Sequence, residues 1–134
     1  MILHAGLMAI YANRRWRGVL ISGPSGTGKS DLALRMIEAG WRLVADDRTL
    51  IWTSGGELFG RAPEPLAGKI EARGLGVVSE PALPYCAIHL SVADGVPERL
   101  PQAAQSTHLG LGLSHLVLPL LEVSSLAKIS RALR

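Results

Sequence analysis

Gly23-Pro24-Ser25-Gly26-Thr27-Gly28-Lys29-Ser30 matches the spacing G-x-x-x-x-G-K-S in full. Glycines at these positions let the backbone curl until successive N–H groups face inward and bind phosphate oxygens. Lys29 brings a cation to the β and γ phosphates of a nucleotide, and the hydroxyl of Ser30 is a Mg²⁺ ligand. The apolar run Gly18-Val19-Leu20-Ile21-Ser22 leads into the loop and reads as a buried strand. A helix starts near Lys29, with Leu32, Leu34, Met36 and Ile37 as its apolar stripe and Gly40 as its stop. The positive end of that helix points at the phosphates. Strand, loop and helix therefore agree on a site for ATP and Mg²⁺, with Gly23, Pro24, Ser25, Gly26, Thr27, Gly28, Lys29 and Ser30 as its nucleotide-binding residues.

Outward from the loop, Leu3–Tyr11 reads as a strand and Asn13-Arg14-Arg15 as a hairpin tip. Arg42–Asp46 and Arg48–Thr53 read as strands, and Ser54-Gly55-Gly56 turns the chain. Arg61 to Gly76, with two prolines and three glycines, reads as loop with one helical turn. Tyr85–Val92 is a strand, Ala93 to Leu113 a polar Gly- and Pro-rich loop, and His115–Leu121 another strand. Ser124–Leu133 reads as a terminal helix capped by Ser124 or Ser125. Order is expected to be poorest at Gly55–Gly68 and Ala93–Leu113, with the first closing over substrate. Regular phosphate-loop enzymes alternate strand and helix. This chain has one helix after its loop and then mostly strands. The expected fold is thus α/β, with a strand-rich mixed sheet and one domain over residues 1–134. No repeats or linkers interrupt it.

Composition narrows the function classes. The chain has 134 residues, 48% hydrophobic and 19% charged, which suits a packed core. Aromatics are only 4%, so that core is expected to be aliphatic. The net charge is +3, without a dense Lys/Arg run interleaved with aromatics, so no nucleic-acid footprint is present. The single cysteine, Cys86, lies in an apolar run and reads as a small buried residue in a reducing compartment. No apolar stretch approaches the roughly 20 residues that span a bilayer. Met1–Ala12 has no basic start, so it does not read as a signal peptide. These features point to a cytoplasmic protein without a membrane partner.

A second Mg²⁺ anchor in such sites is usually an Asp at the end of a neighbouring strand. Asp46 and Asp47 end the run Leu43-Val44-Ala45. Adjacent residues cannot share one face of a strand, so one can point at the metal while the other faces an acceptor hydroxyl. A turn-forming Asp pair is the alternative. Glu71 stands in Gly68-Lys69-Ile70-Glu71-Ala72-Arg73-Gly74-Leu75-Gly76, where a site and a solvated loop charge fit equally well. His4, taken alone, is an ordinary surface or satisfied polar residue.

Together these segments resemble the HPr kinase/phosphorylases. His4 precedes a strand–turn–strand, GPSGTGKS follows at Gly23–Ser30, LVADD runs from Leu43 to Asp47, and IEARGLG spans Ile70–Gly76. The order and spacing are those of the family, over roughly residues 4 to 100. The resemblance implies a fold like the nucleotide-binding domain of phosphoenolpyruvate carboxykinase. It implies ATP-dependent phosphorylation of a regulatory serine on the phosphocarrier protein HPr, in phosphotransferase-system regulation. By position, Lys29 would stabilise the transferring phosphate, Ser30, Asp46 and Glu71 would hold Mg²⁺, and Asp47 would be the base. His4 would stand beside that base, and Arg99 resembles a catalytic arginine in a similar position.

The chain departs from longer members in two places. They carry a domain before the His segment, and an arginine- and glycine-containing loop that serves dephosphorylation. Here that loop is Pro119-Leu120-Leu121-Glu122-Val123-Ser124, and the helices that help grip HPr are short. The expectation is a compact form, similar to alphaproteobacterial members, with weak or no phosphorylase activity. A small-molecule kinase or ATPase of the same fold and a non-catalytic ATP-binding regulatory module are the rival readings. Homo-oligomerisation stays open.

Overall fold

In the computed structural model, residues 1–133 are described. The first strands are Ile2–Leu3 (β1), Ala5–Ala12 (β2) and Arg15–Ser22 (β3). Next come the helix Lys29–Glu38 (α1) and the strands Arg42–Ala45 (β4), Thr49–Ser54 (β5) and Glu57–Arg61 (β6). A 3₁₀ turn at Glu64–Leu66 leads to Lys69–Ala72 (β7), Gly76–Ser79 (β8) and Cys86–Asp94 (β9). Ala104–His108 (β10), Leu111–Leu118 (β11) and the helix Ser124–Ala132 (α2) finish the chain.

The main sheet runs β1-β5-β6-β9-β3-β2-β4, and β11 with β10 branches from β9. β3 is parallel to β9, and β9 is parallel to β11. β2 is antiparallel to both β3 and β4. Hence β4, β3, β9 and β11 all run the same way and end at one edge of the sheet, and β2 begins there. That edge is where ligands bind in open α/β sheets. β7 and β8 form a separate two-stranded hairpin.

The local physics explains the central strands. β2 and β3 are joined by a two-residue loop whose central residues, Asn13 and Arg14, have φ of 52° and 67°. Positive φ at both positions matches the twist of the flanking strands. β3 is buried without alternation from Gly18 to Ile21 because both its faces are covered. Val19 and Ile21 pack towards α1, with Leu32, Met36, Trp41, Leu43 and Leu90. Leu20 packs on the other face with Leu7, Val44, Ile51 and Leu58. Each such fully buried side chain contributes about 1.5–3 kcal/mol over an exposed one. As the low aromatic content implies, Trp41 is the only buried aromatic among the described residues. Cys86 is buried as expected, and burial pushes its thiol up to about 12.

Several sequence expectations need correction. Gly55–Gly68 is not loop throughout: β6 occupies Glu57–Arg61 within it, paired with β5 and β9. Arg61–Gly76 holds its helical turn but also β7, so Glu71 lies on a strand. There Ile70 and Ala72 point inward and Lys69 and Glu71 outward, a four-residue alternation hidden by flanking glycines. Ala93–Leu113 contains β10 and the start of β11, joined at Leu109-Gly110 with φ of 50° and 81°. β10 is a polar edge strand, so no hydrophobic pattern marks it. Neither Ser124 nor Ser125 caps α2; Val123 holds that position without a side-chain bond. Ser125 is fully buried and its hydroxyl donates back to the Pro119 carbonyl.

Candidate active site

The phosphate loop joins β3 to α1 at the sheet edge. The Thr27 hydroxyl donates to the Pro24 carbonyl at 2.7 Å, and the Thr27 N–H reaches the same oxygen at 3.3 Å. Gly28, at φ 102°, is the residue from which α1 begins. A side chain there would strain the backbone, so glycine suits the last bend before the helix. Lys29 is only 9% exposed, and its Nζ donates to the Gly23 carbonyl at 2.6 Å across the loop. That ammonium also stands 3.5 Å from Asp47 Oδ1.

The two aspartates after β4 turn to different partners. Asp46 Oδ1 accepts from the Ser30 hydroxyl at 3.1 Å, and Asp46 Oδ2 accepts from the Glu71 N–H at 2.9 Å. Asp47 Oδ1 lies 2.9 Å from His4 Nε2. The backbone makes this divergence. The Arg48 N–H donates to the Asp46 carbonyl at 2.7 Å, around Asp47 at φ 66°. An i→i+2 bond about a positive-φ residue is the rare, strained γ-turn. Strain of this kind collects at functional sites, where the surroundings hold it in place.

Burial raises the Asp46 carboxyl above its ordinary value, and the charges of Asp47 and Glu71 push the same way. The Glu71 N–H and the Ser30 hydroxyl oppose the rise by bonding the ionised form. A divalent cation would relieve this crowding of negative charge. The Ser30 hydroxyl and the Asp46 and Glu71 carboxylates are hard oxygen donors, which suits Mg²⁺. No group of three or more His, Cys, Asp or Glu among the described residues could hold a metal alone. Mg²⁺ typically relies on one or two carboxylates together with water and substrate phosphates.

The structure thus brings together His4, Lys29, Ser30, Asp46, Asp47 and Glu71. Arg99 is not among them. It lines a separate cavity of about 1150 Å³ with Glu98, His115 and Lys128, and joins none of the hydrogen bonds or ion pairs above.

Asp94 is a residue that sequence reasoning passed over. It ends β9, the parallel neighbour of the strand that feeds the loop, where Ser22 pairs with Ala93. Its Oδ1 accepts from the Leu120 N–H at 3.1 Å. The only signal available was an Asp closing an apolar strand, and reading that strand as ending at Val92 hid it.

The model of the HPr Serine kinase C-terminal domain family matches residues 1–83. Arg99 and the C-terminal stretch lie beyond that match, which ends short of the residue 100 suggested by the motifs. HPr kinase/phosphorylase of Clostridium tetani is 44% identical over 81 residues, 60% of this chain and 25% of that protein. The Clostridium beijerinckii protein of the same name is 49% identical over 61 residues, 46% of this chain and 20% of that protein. The chain spans about a quarter of the length of the first of these relatives. The solved Hpr(Ser) kinase/phosphatase from Coxiella burnetii superposes with a TM-score of 0.81 at 26% identity. That likeness covers 99% of this chain and 87% of the Coxiella chain. With its phosphate loop, paired aspartates and strand-rich mixed sheet in that arrangement, the chain belongs to the HPr serine kinase C-terminal domain family.

Proposed function

We propose that this chain is an ATP-dependent protein serine kinase acting on an HPr-type phosphocarrier protein, as the names of its relatives suggest. The observation that carries the reading is Asp47, held between His4 and Lys29 at the mouth of the loop. A carboxylate there can take a proton from an incoming hydroxyl while the lysine faces the phosphate.

In the proposed reaction the acceptor serine oxygen forms a bond to the γ phosphorus. The bond from that phosphorus to the β–γ bridging oxygen breaks, and ADP leaves. The serine proton passes to Asp47, which His4 orients. General-base help of this kind contributes about 10²–10⁴-fold. Lys29 and the inward N–H groups of Gly23–Ser30 neutralise charge on the group in transfer, and such electrostatic stabilisation typically contributes more than the base. Ser30, Asp46 and Glu71 would hold Mg²⁺, which when bound supplies further charge neutralisation. Residues 1–134 would work as one catalytic domain, in a reducing cytoplasm that suits the lone Cys86.

We also infer phosphorylation with weak or no phosphorylase activity, because Pro119–Ser124 offers neither arginine nor glycine. No helix of the described residues is long and apolar enough to cross a membrane.

The test is incubation with labelled ATP, Mg²⁺ and purified HPr-type protein. Acid-stable phosphoserine supports the proposal. ATP hydrolysis without labelled protein favours an ATPase or small-molecule kinase, and binding without turnover favours a regulatory module.

A further inference from the structure

Leu121 is 63% exposed, yet the turn that carries it is tied down on every side. The turn closes with the Glu122 N–H on the Pro119 carbonyl at 3.0 Å. Arg35, on the helix that springs from the phosphate loop, donates to the carbonyls of Leu120 and Glu122, the latter at 3.2 Å. Asp94 takes the Leu120 N–H, and buried Ser125 bonds the Pro119 carbonyl. Leu120 itself is fully buried. A fixed backbone therefore presents one large apolar side chain to solvent.

That side chain lies against the phosphate loop. A Cβ on Gly28 would stand 2.6 Å from Leu121 Cδ2. Gly28 thus lacks a side chain for two reasons, its φ and the space that Leu121 takes up.

Strand order says what this face can meet. Asp46, Asp47 and His4 stand on the β2–β4 side of the loop, whereas Asp94 and the Pro119–Glu122 turn follow β9 and β11 on the other. In phosphoryl transfer the γ phosphate points at the acceptor and its base, with the leaving group roughly in line behind it. A nucleotide whose γ phosphate faces Asp47 carries its nucleoside towards the opposite side. Of the exposed apolar side chains on that side, Leu121 is the one that lies against the loop, at Gly28.

We infer that Leu121 is the apolar contact for the nucleoside of a nucleotide bound on Gly23–Ser30. This rests on the ATP-dependent reading above. A contact of this kind acts on the nucleoside and not on the phosphates, so the two parts of the ligand separate in an experiment.

Binding of ATP and of inorganic tripolyphosphate, each with Mg²⁺, is measured by calorimetry on the full chain and on Leu121→Ala and Leu121→Met. Leu121→Ala should weaken ATP by roughly five- to tenfold through lost apolar burial and leave tripolyphosphate unchanged. Leu121→Met should recover most of the loss. Unchanged or tighter ATP binding in Leu121→Ala overturns the inference, the latter because Leu121 would then obstruct the site. Equal loss of both ligands also overturns it, since Leu121 would then only prop the loop. A wild-type chain that binds neither ligand removes the kinase reading and this inference with it. A wild-type chain that binds both, with Leu121→Ala unaffected, removes the Leu121 assignment alone.

Discussion

His4 Nε2 stands 2.9 Å from Asp47 Oδ1, although 43 residues separate the two in the chain. The contact forms because β2 starts at the edge where β4 ends, with the two strands antiparallel neighbours. The γ-turn at Asp47 then swings its carboxylate away from Asp46 and towards the histidine.

Asp47→Asn removes the proposed proton acceptor but keeps the size of the side chain. Phosphotransfer in a single turnover should fall by about 10²–10⁴-fold. Nucleotide binding, followed by calorimetry, should persist. A variant that transfers phosphate at the normal rate would remove Asp47 from the role of base.

In the proposed reaction His4 acts through Asp47, as a positioning residue. His4→Ala should lower kcat by roughly tenfold, the worth of one hydrogen bond to a charged group. It should also alter the pH–rate profile, which a purely structural role would leave in place. His4→Gln retains a donor and should recover part of the rate.

Ser30→Ala and Asp46→Asn each remove part of the proposed cation site. The free Mg²⁺ needed for half-maximal activity should rise roughly ten- to hundredfold. Asp46 has a raised carboxyl, and metal ligands must be deprotonated. Mg²⁺ affinity should therefore fall, on acidification, sooner than for an ordinary carboxylate. A Mg²⁺ titration at several pH values reads both effects.

Gly18 pairs with Ile88 where the register between the parallel neighbours β3 and β9 shifts. A Cβ there would be 2.6 Å from the Ala87 carbonyl oxygen and 2.7 Å from Cys86 Sγ. The backbone oxygen cannot swing aside, so Gly18→Ala should cost about 1–3 kcal/mol by overpacking. The urea midpoint should drop while the folded fraction keeps its nucleotide affinity.

His89 should make stability fall in mild acid. Burial lowers its ring below the ordinary 6.5, and the charges of Arg15 and Arg17 act the same way. Its Nδ1 is buried without a hydrogen-bond partner among the described residues. The unfolded chain therefore binds the proton more readily than the fold does. The stabilisation is present above 6.5 and is lost as pH falls through that value towards the folded one. His108 is lowered as well and contributes in the same direction. Urea midpoints at about pH 7.5 and about pH 5.5 should diverge more in the wild type than in His89→Gln.

The residues 18–47 show where local signals suffice. A strand, a glycine-rich loop and an amphipathic helix each depend on neighbours close in sequence. Motif spacing and periodicity therefore identified the loop, α1 and the aspartate pair. β7 and β10 did not announce themselves, because one is a four-residue alternation among glycines and the other a polar edge strand. Their pairing is specified by partners and not by their own composition.

Asp94 and Leu121 lie furthest from what sequence could reveal. The sequence by itself determined a phosphate site, two carboxylates after a strand and a family resemblance. The tertiary structure decided that His4 meets Asp47, that Asp46 bridges Ser30 and the Glu71 backbone, and that Leu121 lies on Gly28. Each of these depends on which strand lies beside which, a long-range choice made by burying both faces of β3 at once.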